Sequence, residues 1–436
     1  MHAARDRIPD HSAIAIVDRR YLLAFAIVTS LFFSWAFAAA LNDILIRQFQ
    51  KALDLTRTQS SLIQLAFYIG YFCAALPAGL LIHRAGYKRT IIVGLSLHAV
   101  GALLFVPAAD AQSYLFFLVA LYIIAFGLAF LETAANPYVA ILGHVKTASS
   151  RLNLAQSFYG LGAIFGPIIG GMFIFSGVEH SAAQIAAMTA AERALYRAGE
   201  SAAVKGPYVA VGLGIALLAI AVALTPFPQL GGPAPAAPTR SAKHALWSVL
   251  RQIRLRWAMA AQFFYVGAQV TVWSFFIDFT KTVMPGLPEK SAAFLLSASL
   301  AMLMLGRFSG AFIQARVSAS RLLALYAAAN VLLCLTAALG AGRIAVGALW
   351  LSSFFMSIMF PTIFALGVQD LADETELGSS FLIMSIIGGA LIPPLTGLLS
   401  DRVTGIQHAM IVPAMCFIVC LVFALRVPGL RRNNAP

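Results

Sequence analysis

Charge is what this sequence has least of. Only 11% of its 436 residues are Asp, Glu, Lys or Arg, while 60% are hydrophobic; a typical soluble domain carries about 25% charged and about 45–50% apolar residues. The deficit excludes a water-soluble globular fold. Acidic residues are scarcer still, 17 against 30 Lys and Arg, leaving a net charge of +13. In a soluble chain that surplus would raise nucleic acid as a partner. Here the basic residues fall between long apolar runs, so no nucleic-acid partner is expected.

Cysteine is also sparse. Cys73, Cys334, Cys416 and Cys420 all lie inside apolar stretches, which excludes a disulfide framework or a zinc site with closely spaced ligands. They read as small core hydrophobes. No cleavable leader is expected, because residues 1–20 are polar and place Arg19 and Arg20 directly before the first apolar run. Neither clustered metal ligands nor a nucleophile–base pair falls within the apolar runs, so no metal, no cofactor and no enzyme activity are expected.

Long apolar segments are what the sequence does have. They lie near 21–46, 60–82, 90–108, 113–142, 153–177, 207–225, 257–280, 291–315, 322–341, 344–368, 378–399 and 406–425. At about 20 residues per crossing, they predict an all-α membrane protein with twelve transmembrane helices in two six-helix bundles. An even number puts both termini on one side. The larger share of Lys and Arg then falls beside the N-terminus, including Arg19, Arg20, Arg84, Lys88, Arg89, Arg254 and Arg256, which marks that side as cytoplasmic.

The sharpest composition break, residues 226–256, is first Pro/Gly/Ala-rich and then basic. It divides the chain into a cytoplasmic tail (1–20), a first bundle (21–225), a cytoplasmic basic linker (226–256), a second bundle (257–425) and a second cytoplasmic tail (426–436). The halves echo one another. Gln156-Ser157-Phe158 before Gly166-Pro167 in the fifth helix parallels Ser379-Ser380-Phe381 before Pro393-Pro394 in the eleventh, and Phe32-Phe33 in the first parallels Phe263-Phe264 in the seventh. Such echoes are the mark of parallel repeats related by an axis along the membrane normal. In the outer loop 178–206, Thr189 and Glu192 fit a capping box and start a short helix through Arg197; no chemistry is assigned to it.

Ionisable residues inside a span cost at least about 2.5–3.5 kcal/mol at mid-bilayer, so each needs a partner, a wet cavity or a proton. Asp43 in the first span and Glu132 in the fourth have no basic residue within a span of their own half. Asp43 is close enough to the outer end to meet water or Arg47. Asp278 closes the seventh span beside Lys281, and Arg307 sits towards the cytoplasmic end of the eighth. Gln156 and Tyr159 share a face of the fifth helix, and Gln262, Tyr265, Gln269 and Trp273 follow helical spacing along the seventh. Amides and flat rings answer the hydroxyls and apolar C–H faces of a sugar. Interhelical hydrogen bonding would account for any one of them alone. His98 reads as a core residue.

Gly79-Leu80-Leu81-Ile82-His83-Arg84-Ala85-Gly86-Tyr87-Lys88-Arg89 resembles the signature loop of the major facilitator superfamily, with His83 where an aspartate is usual. Asn42-Asp43-Ile44-Leu45, Leu131-Glu132-Thr133-Ala134-Ala135-Asn136-Pro137 and Arg151-Leu152-Asn153-Leu154-Ala155-Gln156 resemble that superfamily's fucose–proton symporter branch. The likeness continues through Tyr265-Val266-Gly267-Ala268-Gln269, Gly306-Arg307-Phe308 and Pro361-Thr362-Ile363-Phe364, and covers residues from about 21 to 425.

The resemblance implies a carrier that imports a monosaccharide with a proton, L-fucose first, by alternating access in the cell membrane (the inner membrane of a Gram-negative source). Glucose or galactose is the alternative cargo, and a sugar sensor that transports nothing is the rival from another class. By resemblance Asp43 and Glu132 couple the proton, and Glu132, Gln156, Tyr159, Gln269, Phe360 and Asn42 face the sugar. Tyr159 and Phe360 replace an asparagine and a tyrosine of the fucose carriers, so the hydrogen-bond inventory facing the sugar differs. The expected partners are therefore a monosaccharide, a proton and the lipid bilayer, with the protein a monomer.

Overall fold

A computed structural model describes residues 17, 19–142, 148–175, 180, 182–227, 250–314, 316–369, 371 and 375–430. Nearly all of the expected N-terminal tail, most of the 226–256 linker and residues 431–436 of the second tail lie outside them. Every described element is helical. Where hydrocarbon surrounds the chain, a helix satisfies each backbone N–H and C=O within its own segment, so long apolar runs have no other stable form.

Among the described residues ten helices are long and apolar enough to span a bilayer, or eleven when one bent pair is taken as a single span. A further 26-residue helix, Ala148–Phe173, lies where the fifth crossing is expected, consistent with twelve. In chain order they are α1 (Leu22–Leu53), α2 (Arg57–Ile82), α3 (Arg84–Asp110), α4 (Tyr114–Ile141), α5 (Ala148–Phe173) and α6 (Lys205–Leu224). The second half contributes α7 (Ile253–Ser274, continued by Phe276–Val283), α8 (Glu289–Gln314), α9 (Ala319–Leu339), α10 (Gly342–Val368), α11 (Phe381–Arg402) and α12 (Ile411–Leu430). Apolar side chains such as Leu217, Leu332 and Leu425 stand about two-thirds exposed on the outer faces. Only a lipid environment makes such surfaces stable.

Two glycines show why the halves echo in sequence. A Cβ at Gly162 of α5 would lie 2.2 Å from the Phe33 carbonyl oxygen of α1, and one at Gly388, at the start of the Gly388–Leu399 segment of α11, would lie 1.9 Å from the Phe263 carbonyl of α7. In both halves the first and fifth helices thus approach backbone to backbone at the Phe-Phe pair, which no residue larger than glycine allows. In the first turn of α3, Gly86 takes φ 79° and ψ 171°, a region open essentially to glycine alone. The signature loop turns there.

Two expectations need correcting. Cys73 is exposed on the face of α2 turned away from the core, beside the exposed Phe72, whereas Cys334, Cys416 and Cys420 are buried. Helical periodicity, invisible in an unbroken apolar run, separates them. The capped helix starting after Thr189 runs through Ala202, beyond Arg197. Its last turns are held because Glu200 pairs with Lys51 at 3.2 Å and accepts from Gln48 Nε2 at 2.7 Å.

Candidate functional site

We call distal the end of the molecule where α1 finishes, and proximal the end where it starts. Asp43 lies in the later half of α1, buried at 7% exposure. Its partners are neutral. Gln64 Nε2 of α2 donates to Asp43 Oδ1 at 3.1 Å, and Ser274 Oγ, the last residue of the first segment of α7, donates to the same oxygen at 3.1 Å. Gln64 Nε2 also reaches Ser274 Oγ at 2.8 Å. A carboxylate of the first half is therefore hydrogen-bonded directly to the second. The expected alternative for Asp43, contact with Arg47, is not what forms: Arg47 lies one turn further along and turns to Glu289 (2.9 Å) and Asp278 (3.4 Å).

Gln64, Tyr68 and Tyr71 are spaced four and three apart and so occupy one face of α2. Tyr68 lies within electrostatic reach of Asp43, Glu132 and Tyr159, and Tyr71 within reach of Glu132 and Tyr159. Glu132 on α4 is half-buried. Asn136 Nδ2, one turn on, donates to its backbone carbonyl at 3.1 Å, and Glu132 is within electrostatic reach of Tyr68, Tyr71 and Tyr159. On α5, Gln156 and Tyr159 are both half-buried. Tyr159 meets the Trp35 ring edge-on at 5.4 Å.

From the second half, Gln269 Nε2 donates to Tyr265 Oη at 2.7 Å, and Tyr265 Oη donates to the Met356 carbonyl at 2.8 Å. Phe360 packs against the Tyr265 ring at 6.4 Å. Arg307 is within electrostatic reach of Tyr159 and Tyr265. It stands in the last third of α8, towards the helix end where sequence puts it, and its charge reaches the candidate site from there.

The structure thus brings Asp43, Glu132, Tyr159, Gln269 and Phe360 into one chain of neighbours linked by Tyr68 and Tyr265, with Gln156 on the same face as Tyr159. Asn42 is nearly fully buried beside Asp43, and its Nδ2 has no partner among the described residues. The stripe expected along α7 divides: Gln262 is fully buried, with neither amide atom partnered among the described residues, while Trp273 Nε1 donates to Ser353 Oγ at 3.0 Å.

Sequence reasoning missed Gln64 and Ser274 as partners of Asp43. A glutamine one face-turn from two tyrosines was the available signal for the first. Nothing marked the second, because a serine at a helix end most often caps or hydrogen-bonds its own backbone.

Distally the two halves are joined by charge. Arg57 Nε meets Asp278 Oδ2 at 2.5 Å and Lys51 Nζ meets Glu289 Oε2 at 2.6 Å, alongside the Arg47 pairs. Asp278 therefore pairs across the halves, not with the neighbouring Lys281. Asp401 of α11 accepts from Thr58 N at 2.8 Å and Thr58 Oγ1 at 2.7 Å. Between described residues, each of the ion pairs joining the halves lies at this end. A separate cavity of about 450 Å³, lined by Phe37, Leu41, Ile169, Phe173 and Pro207 among others, lies between α1, α5 and α6. Its apolar lining offers a sugar no hydrogen bond.

The profile of the Major Facilitator Superfamily matches residues 23–387. The chain is 43% identical over 409 residues to the L-fucose-proton symporter of Escherichia coli (strain K12), covering 93% of each. It is 37% identical to the glucose/galactose transporter of Brucella abortus biovar 1 (strain 9-941), covering 94% of this chain and 95% of that one. The solved structure of FucP, a transporter of this superfamily, in its outward conformation superimposes with a TM-score of 0.68 at 42% identity, over 94% of this chain and 99% of that one.

Proposed function

Because the chain belongs to the Major Facilitator Superfamily, we propose that this multi-pass membrane protein imports a monosaccharide together with a proton by alternating access, with L-fucose as its sugar. The observation that carries the reading is Asp43: a carboxyl buried at the seam of the two halves, held by neutral donors alone. A group placed so can take up and release a proton in step with movement of the halves. The likeness to a sequence named an L-fucose-proton symporter, over nearly the whole of both chains, supports the same chemistry.

In this reading Glu132 takes a proton first and stands beside the sugar, while Asp43 relays it. Gln156, Tyr159, Gln269, Phe360 and Asn42 receive the sugar: amides for its hydroxyls, rings for its C–H faces. The distal end faces outside and both termini face the cytoplasm, supported by the basic residues beside the N-terminus. The distal ion pairs then make this the state closed to the outside. The two bundles are residues 21–225 and 257–425, joined by the basic linker 226–256, and the carrier works as a monomer in the bilayer.

A glucose or galactose cargo is the second reading, favoured by the likeness to the Brucella transporter and by Phe360, which offers a face without a hydroxyl. Adding L-fucose, glucose or galactose in turn to a weakly buffered suspension of expressing cells decides among them. The expected result is external alkalinisation with L-fucose. Alkalinisation with glucose alone selects the second reading, and none with any sugar, in cells shown to bind label, would make the protein a sensor.

A further inference from the structure

Asp43 and Arg47 are four apart on α1, and Ser274 and Asp278 are four apart on α7. The Asp43–Ser274 and Arg47–Asp278 contacts therefore stack as two rungs, one helical turn apart, between the same pair of helices. Between the rungs α7 breaks: Phe275 leaves helical geometry at φ −100° and ψ 4°, and the two segments meet at 52°. Gln64 braces the inner rung from α2, touching both partners, and all three residues are buried. The other ionisable side chains facing this carboxyl are Tyr68 of α2 and Tyr159 of α5. Glu132 of α4 lies beyond Tyr68, and Arg47 and Asp278 form the next layer distally.

The donor set is complete only while α7 lies against α1 and α2. If the distal ends part, Ser274 leaves with the second half and Asp43 keeps Gln64 alone. An ionised Asp43 gains from two donors that a separated one loses, and hydrogen bonds to charged groups are the stronger class. We propose that Gln64 and Ser274 are positioning residues that tie the protonation of Asp43 to closure of the distal end: release of the proton from Asp43 draws Ser274 onto the carboxylate, and a proton added to that carboxylate lets α7, Ser274 included, part from α1 and α2. This rests on the reading of the protein as a sugar–proton carrier and assigns the contact through which the proton is felt.

The test uses the full chain reconstituted in vesicles, comparing the wild type with Ser274→Ala, Ser274→Thr and Gln64→Met. Two quantities are read for each: counterflow of labelled L-fucose with no proton gradient, and accumulation of the sugar driven by an imposed gradient. Loss of a donor to a charged group predicts that Ser274→Ala and Gln64→Met keep counterflow within about twofold but lose accumulation by about tenfold. Ser274→Thr, which retains the hydroxyl, keeps both.

Accumulation by Ser274→Ala equal to that of the wild type overturns the proposal, as does a parallel loss of counterflow and accumulation in Gln64→Met. If Ser274→Ala does not assemble, Gln64→Met and Ser274→Thr decide alone, by the same criterion. A wild type that performs neither process with any monosaccharide would instead remove the transport reading itself, which separates the two failures.

Discussion

At the scale of single residues, what matters is which polar groups the bundle keeps apart from cations. Glu132 has three tyrosine neighbours or near neighbours, none of which can neutralise it. Glu132→Gln keeps the size of the side chain with a donor and an acceptor at its end, and removes the titratable proton. Proton-driven accumulation is therefore expected to vanish while sugar exchange persists, measured as accumulation against counterflow in the same vesicles; unchanged accumulation would overturn the assignment. Phe360→Tyr adds a hydroxyl beside Tyr265, whose ring lies 6.4 Å away. A site able to bond a substrate hydroxyl discriminates better than a bare ring, so this variant is expected to raise the preference for L-fucose over glucose, read from competition by the unlabelled sugars.

At the scale of elements, the closest helix pairs decide. The α1–α5 and α7–α11 pairs meet through Gly162 and Gly388, where an added methyl would run into a main-chain oxygen that cannot rotate away. Overpacking of this kind costs about 1–3 kcal/mol. Gly388→Ala is expected to lower the heat stability of the purified protein in detergent, read as loss of the monodisperse peak on warming. Gly86→Ala should do the same through backbone strain, of about 1–3 kcal/mol. Gly79, in the same signature loop, has open space around its Cα, and Gly79→Ala should leave the melting profile unchanged. The loop sequence alone ranks these two glycines equally, and both have open space; the dihedral angles tell them apart.

At the scale of the whole molecule, closure rests on charges contributed by both halves. Glu289 is buried and holds Arg47 and Lys51 together, while Asp278 holds Arg47 and Arg57. Removing Glu289 leaves Lys51 to Glu200 of its own half and Arg47 to Asp278 at 3.4 Å, so two of the ion pairs that join the halves are lost, which penalises the closed arrangement more than the open one. Glu289→Gln is expected to shift the population towards the distally open state by about tenfold or more. The measurement is the rate at which a membrane-impermeant thiol reagent modifies a cysteine placed at Thr282, near the distal end of α7. A rate unchanged from that of the Glu289-containing parent would show that the ion pairs do not hold the end shut.

Much of this was legible in the sequence, for physical reasons. Hydrophobic runs near bilayer length leave helices as the only form in which the backbone can satisfy itself, so the all-α fold and the division into halves follow from composition and spacing. Buried acids are costly, so Asp43 and Glu132 stood out against an apolar background. Partners were another matter. Ser274, 231 residues from Asp43, and Glu289, 242 from Arg47, meet only because the halves pack face to face. Arg307 likewise comes within electrostatic reach of Tyr159, on the other half, only through packing that no local pattern encodes. Local chemistry determined which residues could not be left in oil; three-dimensional packing alone decided what each of them touches, because contacts between halves depend on how separate helices are brought together and not on their order along the chain.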